Sequence, residues 1–254
     1  MRVALFIPCF VDQFFPNVGI AMVKVLRRLN VDVDFPEKQT CCGQPAFNTG
    51  YWDEARQLAK RYCEVFADAE AIVSPSGSCV AMVRNFYPEL LNAGVAAPVP
   101  GASHQAAGTA ATTPGWQRVC ANTFEFSEFL VKKLGVSDVG ASFPSRVTYH
   151  DGCHALRELR LKDAPRQLLR NVKGLELVEM GEAETCCGFG GTFSVKFPMI
   201  SQAMDEVKCA SIQKTGAQYV VSADSSCLMQ IGGRLRRDKL PIQTIHLAEV
   251  LAAR

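Results

Sequence analysis

Two copies of one cysteine pattern run through this chain of 254 residues. Each copy has a single cysteine, then an adjacent pair followed by glycine, then a fourth cysteine, and matching positions lie 144 to 148 residues apart. The first copy is Cys9, Cys41-Cys42-Gly43 and Cys79, and the second is Cys153, Cys186-Cys187-Gly188 and Cys227. Four thiols per copy are the usual ligand count of an iron–sulfur cluster, so all eight cysteines are predicted to bind metal.

The spacing of the cysteines discriminates among the metals that thiolates select, which are zinc, copper(I) and the iron of clusters. A structural zinc site usually takes its ligands from short knuckles, and the chain contains no Cys-x-x-Cys. Here each set comes from three separated segments, and the adjacent Cys41 and Cys42 point in different directions, which suits two irons of one cluster. The pattern favours one or two iron–sulfur clusters per chain. A zinc site, plain buried cysteines and a thiol–disulfide relay are the alternatives.

Three further cysteines lie outside the doubled pattern. Cys63 and Cys209 follow the two triplets at nearly the same distance, inside predicted helices, and Cys120 has no counterpart in the other half. Free cysteine is a common small buried residue. We therefore leave these three out of the predicted site.

Polar residues flank the first cysteine of the second copy only. His150 and His154 lie on either side of Cys153, whereas the matching residues of the first copy are apolar. A histidine beside a cluster can donate a hydrogen bond to sulfur or act as an acid. Arg157, one helical turn further on, could offset cluster charge or hold a substrate carboxylate. These three are the catalytic candidates, and a structural role or a surface position is the alternative for each.

The elements that must position these residues alternate between strands and helices. Short apolar runs predict strands at 3–7, 71–74, 147–150 and 218–222, and periodic segments predict helices at 17–29, 53–67 and 199–214. Such alternation is typical of an α/β fold. We predict two pseudo-duplicated modules, at residues 1–135 and 145–254, each a small parallel sheet flanked by helices. Four of the cysteines then follow the carboxyl ends of strands, where open α/β sheets build their sites.

Residues 94–118 interrupt the first module. They are rich in Ala, Gly, Pro and Thr and show no periodicity. We predict a flexible surface insertion. A functional lid is the alternative, because long loops often have a function.

Composition and charge narrow the classes of function. Hydrophobic residues make up 48% of the chain and charged residues 20%, as in ordinary globular proteins, and a formal charge of +2 gives no support to nucleic-acid binding. No segment reaches the roughly 18 to 20 apolar residues of a membrane-spanning helix, and no signal peptide is recognised. Eleven cysteines without an export signal predict a cytoplasmic, reducing location, where patterned cysteines bind metal or carry out redox chemistry.

Four segments resemble the cysteine-rich CCG domain family, which includes the B subunit of heterodisulfide reductase, the iron–sulfur subunit of glycolate oxidase and the lactate-utilisation A proteins. They are VALFIPCFVDQFFPNVGIA near the start, CCGQPAFNTGY, TYHDGCHALREL and ETCCGFGGTFSVK. The resemblance to the lactate-utilisation group covers nearly the whole chain outside 94–118. It implies an iron–sulfur electron-transfer subunit that acts with a ferredoxin-like B partner and a C partner in oxidising L-lactate to pyruvate. The chain carries no flavin or nicotinamide motif, so a partner is expected to supply the dehydrogenating centre or the electron acceptor.

One position departs from the pattern of the resembled family. Heterodisulfide reductase modules end in Cys-x-x-Cys and hold a noncubane cluster with five cysteines, whereas the fifth position here is Ser76 in one half and Asp224 in the other. A four-cysteine 4Fe-4S cluster is therefore the simpler expectation, with Asp224 as an oxygen ligand to iron or a hydrogen-bond partner. The rival functions are a related oxidoreductase subunit acting on glycolate or a disulfide, and a zinc-binding or redox-sensing protein.

Overall fold

The computed structural model describes residues 1–92 and 115–254 of the chain. The described residues of the first module form four short strands, which are β1 (Arg2–Leu5), β2 (Asp32–Asp34), β3 (Ile72–Ser74) and β4 (Thr123–Glu125). All are parallel and lie in the order β2-β1-β3-β4. The two central strands are mostly buried apolar residues, as expected for a parallel sheet covered on both faces.

Helices connect these strands and cover the sheet. They are α1 (Cys9–Phe14), α2 (Pro16–Arg28), α3 (Gln44–Asn48), α4 (Trp52–Val65), α5 (Gly77–Ala81), α6 (Tyr87–Leu91), α7 (Trp116–Ala121) and α8 (Phe126–Glu128). A π-helical segment, Met82–Phe86, joins α5 to α6, and a second one, Phe129–Lys133, continues α8. Pro16 begins α2, a position where the missing proline N–H leaves no helical hydrogen bond unmade.

The second module repeats this topology. Its strands are β5 (Arg146–Tyr149), β6 (Glu176–Leu177), β7 (Tyr219–Ser222) and β8 (Gln243–His246), all parallel and in the order β6-β5-β7-β8. Its helices are α9 (Cys153–Arg157), α10 (Asp163–Arg170), α11 (Phe193–Lys196), α12 (Pro198–Lys214), α13 (Ser225–Arg237) and α14 (Leu247–Ala252). The predicted α/β fold of two similar modules is therefore confirmed. Each predicted strand and helix begins and ends within two residues of an observed one.

The two modules exchange their last helices. Helix α14, which ends the second module, packs against α2 of the first, and α10 of the second module packs against α8 and the π-helical segment that follow β4. One large core lies between the modules as a result, with Leu5 and Leu130 from the first half beside Val147 and Leu251 from the second. A smaller core lies on the outer side of each of the two sheets.

Most of the predicted insertion at 94–118 lies outside the described residues. Its last residues are described, and there the prediction was wrong, because α7 begins at Trp116 and buries that side chain in the outer core of the first module. Burial of the large apolar side chain of Trp116 stabilises the small module. This gain outweighs the weak helical preference of the local sequence. Within the described ranges, none of the helices combines the length and the apolar character needed to cross a bilayer.

Candidate metal centres

The first cysteine set comes together past the carboxyl edge of its sheet. Cys9 begins α1, the pair Cys41 and Cys42 lies in the loop before α3, and Cys79 lies in the first turn of α5. The Sγ atoms of Cys42 and Cys79 are 3.3 Å apart. Cys41 is hydrogen-bonded to the thiols of both Cys42 and Cys9. The four sulfur atoms of the first set thus lie close together, although Cys9 and Cys79 are 70 positions apart in the sequence.

The second set is built in the same way. Cys153 begins α9, the pair Cys186 and Cys187 lies in the loop before α11, and Cys227 lies in the first turn of α13. Cys186 is hydrogen-bonded to Cys153 and Cys187, and Cys187 to Cys227. The structure therefore brings together all eight of the cysteines that the sequence pattern selects, four in each module.

The glycine of each Cys-Cys-Gly triplet turns the backbone toward the sulfur atoms. Gly43 and Gly188 have φ values of 85° and 88°, a left-handed conformation that favours glycine. In this conformation each glycine N–H donates to the Sγ of the first cysteine of its triplet, at 3.4 Å in both modules. The backbone thus supplies one donor to a sulfur at each site, and donors of that kind stabilise a thiolate.

The pKa values of the thiols show that one cysteine in each set is readily deprotonated and that its neighbours are not. Hydrogen bonds from Cys42 and Cys9 lower the pKa of Cys41 to about 3, and bonds from Cys153 and Cys187 lower the pKa of Cys186 to about 2. The thiols that donate these bonds have raised pKa values, first because the hydrogen bond to Cys41 or Cys186 stabilises their protonated form, and then because burial and the neighbouring thiols disfavour a second negative charge. Four thiolates at one point need cations between them. The donor set therefore fits a soft metal centre.

Both cysteine sets border one cavity between the modules. Its volume is about 140 Å³, and all eight cysteines line it. Phe10 from the first module and Phe189 from the second close one side, with ring centroids 5.5 Å apart. A molecule in this cavity would contact both sets at once.

Ser76 and Asp224, the residues at the fifth ligand position, cap the helices that carry the last cysteine of each set. The Ser76 hydroxyl accepts from the Cys79 N–H at 3.4 Å. Asp224 accepts from the Ser226 N–H with one oxygen and from the Ser78 N–H of the first module with the other, at 3.2 and 3.1 Å. Asp224 thus acts as a hydrogen-bond partner of two backbone amides. Its role as an iron ligand stays a prediction.

The three catalytic candidates lie in different environments. His150 is fully buried, and its ring lies within 4.8 Å of the sulfur atoms of Cys187 and Cys227. His154 lines the cavity, with Nδ1 3.6 Å from the Cys153 Sγ. Arg157 is not among the residues lining the cavity, and it donates to the Glu184 carbonyl at 3.5 Å. The geometry brings both histidines to the second cysteine set and leaves Arg157 outside it.

Sequence reasoning missed Lys208, a lysine of α12 that is fully buried. Its ammonium group donates to the carbonyls of Glu182 and Ala183. Burial lowers its pKa, whereas the nearby Cys187 and Cys227 raise it. A signal for its burial existed in the repeat, because the matching position is Tyr62, directly before Cys63 in a predicted helix.

The three cysteines left out of the prediction share the outer cores with cysteines of the two sets. Cys63 and Cys120 are buried in the outer core of the first module, where a hydrogen bond from Cys120 lowers the pKa of Cys63. Cys209 is buried in the outer core of the second module and contacts Asp205, with Sγ 3.6 Å from the carboxylate. They line none of the cavity.

Two α/β modules, each with a Cys-Cys-Gly turn and four converging thiols, define a class of cysteine-rich proteins. A family model described as a cysteine-rich domain, CCG, matches residues 3–84 and again 147–232. Relatives named lactate utilization protein A include one from Bacillus pumilus, 50% identical over all of both chains, and one from Geobacillus kaustophilus, 47% identical over the same extent. The chain belongs to the lactate utilization protein A family.

A comparison of folds agrees with this architecture. A hypothetical protein from Helicobacter pylori of known crystal structure superimposes with a TM-score of 0.54 at 10% identity. The match covers 98% of this chain and 48% of the other, so the chain spans about half the length of that structure. At this identity the likeness concerns the fold alone.

Proposed function

We propose that the chain is the iron–sulfur electron-transfer subunit of a system that oxidises L-lactate to pyruvate, with one four-iron centre held in each module. The observation that carries the proposal is the convergence of four thiols in each module at the border of one shared cavity. The relatives' name, lactate utilization protein A, supports the substrate.

The residues of the chain have three tasks in this function. The cysteines bind iron, and the glycine amides of the two triplets orient and stabilise one sulfur in each set. The residues behind the cysteines exclude water, since Cys42 and Cys187 are both nearly fully buried. The bound clusters would supply one-electron transfer.

Partners are part of the proposal. Lactate oxidation releases two electrons and two protons, and the sequence contains no flavin or nicotinamide motif. We therefore assign the dehydrogenating chemistry or the final acceptor to the lactate-utilisation B and C subunits, at a cytoplasmic location. Lactate should reduce this chain only when those subunits are present.

The test of the centres is metal content after purification without oxygen. Wild-type protein should contain about eight irons and eight acid-labile sulfides per chain, since each cubane cluster has four thiolate ligands. Cys42→Ser and Cys187→Ser should each remove about half of the iron, whereas Cys63→Ser, at a buried thiol that does not line the cavity, should remove none. Zinc without sulfide would overturn the proposal.

A further inference from the structure

The side chains behind the two cysteine sets differ in polarity. Behind the first set, Phe6 and Tyr62 pack edge to face, with ring centroids 4.9 Å apart. The matching residues of the second module are His150 and Lys208, and both are fully buried. The duplicated fold thus places two aromatic rings at one site, with the Tyr62 hydroxyl bonded to Thr123, and a histidine and a lysine at the other.

His150 lacks hydrogen-bond partners within the described residues. Neither ring nitrogen has one, although both atoms are buried. A buried polar atom without a partner costs about 1 to 3 kcal/mol, so natural proteins rarely leave one. The sulfur atoms of Cys187 and Cys227 lie within 4.8 Å, so sulfur of a centre bound there is the acceptor that the ring faces.

Lys208 is a buried cation whose contacts within the described residues include no anionic side chain. Its ammonium group binds two backbone carbonyls, and among residues 1–92 and 115–254 no carboxylate lies within ion-pair distance of it. A buried charge is costly unless an opposite charge is near. A thiolate-bound centre at Cys187 and Cys227 is anionic and would supply that charge.

The nearby carboxylates do not cancel the difference in charge between the surroundings of the two cysteine sets. Asp151 forms a bidentate ion pair with Arg166, at 2.8 and 2.7 Å, and is therefore neutralised. Asp224 binds the amide of Ser78 beside the first set as well as that of Ser226 beside the second, so its charge acts on both.

We propose that His150 and Lys208 raise the reduction potential of the second centre above that of the first, so that an electron added to the protein resides in the second module. The inference rests on the proposed electron-transfer function. A hydrogen bond to sulfur and a nearby positive charge both stabilise the reduced, more negative state of a cluster.

The experiment is a redox titration followed by electron paramagnetic resonance on anaerobically purified protein. Cys187→Ser isolates the first centre and Cys42→Ser isolates the second. The second should have the higher potential by at least 59 mV, a tenfold preference for one electron. Equal potentials, or a higher potential for the first centre, would overturn the inference and leave the proposed function intact. A wild-type protein without iron would instead overturn the proposed function and this inference with it.

Variants in the Cys42→Ser background test the two residues. Lys208→Met should lower the second potential, whereas Lys214→Met, an exposed lysine on the same helix, should not. His150→Phe, which introduces the residue of the first module, should lower it too, and His150→Gln should restore part of the difference because it keeps an N–H donor. Loss of iron from both histidine variants would identify a ligand and contradict the hydrogen-bonding role. If Lys208→Met does not fold, the potentials of the two single-centre proteins still decide the order.

Discussion

Gly43 and Gly188 occupy equivalent positions but have unequal space around them. A Cβ on Gly43 would lie 3.4 Å from the Ala55 carbonyl oxygen, an ordinary contact. A Cβ on Gly188 would lie 2.6 Å from the Ser201 carbonyl oxygen, which cannot move without bending α12. The second triplet is therefore the less tolerant of the two.

Alanine substitutions should reveal this difference. Gly43→Ala should cost about 1 to 2 kcal/mol of unfolding free energy, the cost of a left-handed residue with a Cβ. Gly188→Ala should cost more and should also reduce iron in the second module, since the amide bound to Cys186 must shift. Urea unfolding and metal analysis measure both effects. Equal losses for the two variants would contradict the steric explanation.

Glu125 is a buried carboxyl whose titration should appear in the stability of the protein. Its side chain caps α8 by accepting from the Ser127 and Glu128 amides, and burial raises its pKa to about 7 from 4.5. Between those two pH values the folded chain keeps a proton that the unfolded chain has released, so stability falls as pH rises. The expected loss from this group is on the order of 3 kcal/mol.

Glu125→Gln should remove this contribution while keeping an oxygen acceptor for the cap. The free energy of unfolding of the variant, relative to wild type, should rise between pH 4.5 and 7 and be constant above that range. Chemical denaturation at a series of pH values measures the difference. A constant difference over the whole range would show that Glu125 does not titrate there.

Residues with a repeated pattern were predictable from the sequence, and residues defined by tertiary burial were not. The eight cysteines are identified by two matching sets of spacings, and a parallel sheet brings the ends of its strands to one edge. Lys208 belongs to no repeated cysteine pattern, and its match to Tyr62 is only a weak signal, because a lysine in an amphipathic helix ordinarily faces water. Its burial depends on how α12 packs beside the second cysteine set.

At the scale of elements, the central strands were predictable and the edge strands were not. Strands β1, β3, β5 and β7 are apolar runs whose neighbours cover both faces. Strands β2 and β6 have three and two residues and are partly exposed, so their composition carries little signal. Only pairing with an already formed central strand defines them.

The crossing of α5 and α9 sets the distance between the two cysteine sets. These helices carry Cys79 and Cys153, and they touch at Gly77 and Ala155. A Cβ on Gly77 would lie 2.6 Å from the Ala155 Cβ, too close for the helices to keep their positions. The absence of a side chain at Gly77 therefore permits both sets to border one cavity.

Gly77→Ala should destabilise the protein by about 1 to 3 kcal/mol, the usual cost of overpacking. Adding Ala155→Gly in the same chain should recover most of that loss, because it removes the opposing methyl group. A double-mutant cycle with urea unfolding measures the coupling between the two sites. Additive effects would indicate that the two residues do not touch in solution.

At the scale of the whole molecule, the exchanged helices should make the two modules unfold together. Leu251 of α14 is fully buried in the core shared with α2. Both tryptophans, Trp52 and Trp116, lie in the first module. A change in the last helix of the chain can therefore be followed by probes in the first half.

Leu251→Ala should lower the free energy of unfolding by about 2 to 5 kcal/mol, as for other large-to-small core substitutions. The midpoint should shift equally whether it is followed by tryptophan fluorescence or by circular dichroism. Val195→Ala, at a side chain that is 80% exposed, is the control and should shift neither. A tryptophan midpoint that stays at the wild-type value would mean that the modules unfold independently.

The long sequence separation between α2 and α14 also bears on how the protein is made. Roughly 220 residues separate α2 from the helix that covers it, and at about 5 to 20 residues per second a ribosome needs on the order of ten to forty seconds to add them. In the first set, Cys9 is synthesised before that interval and Cys41, Cys42 and Cys79 early in it, before the apolar face of their own module has its cover. Loading of metal into either module should therefore follow the synthesis of α14, and ribosome-bound nascent chains ending before residue 247 should carry no stable centre.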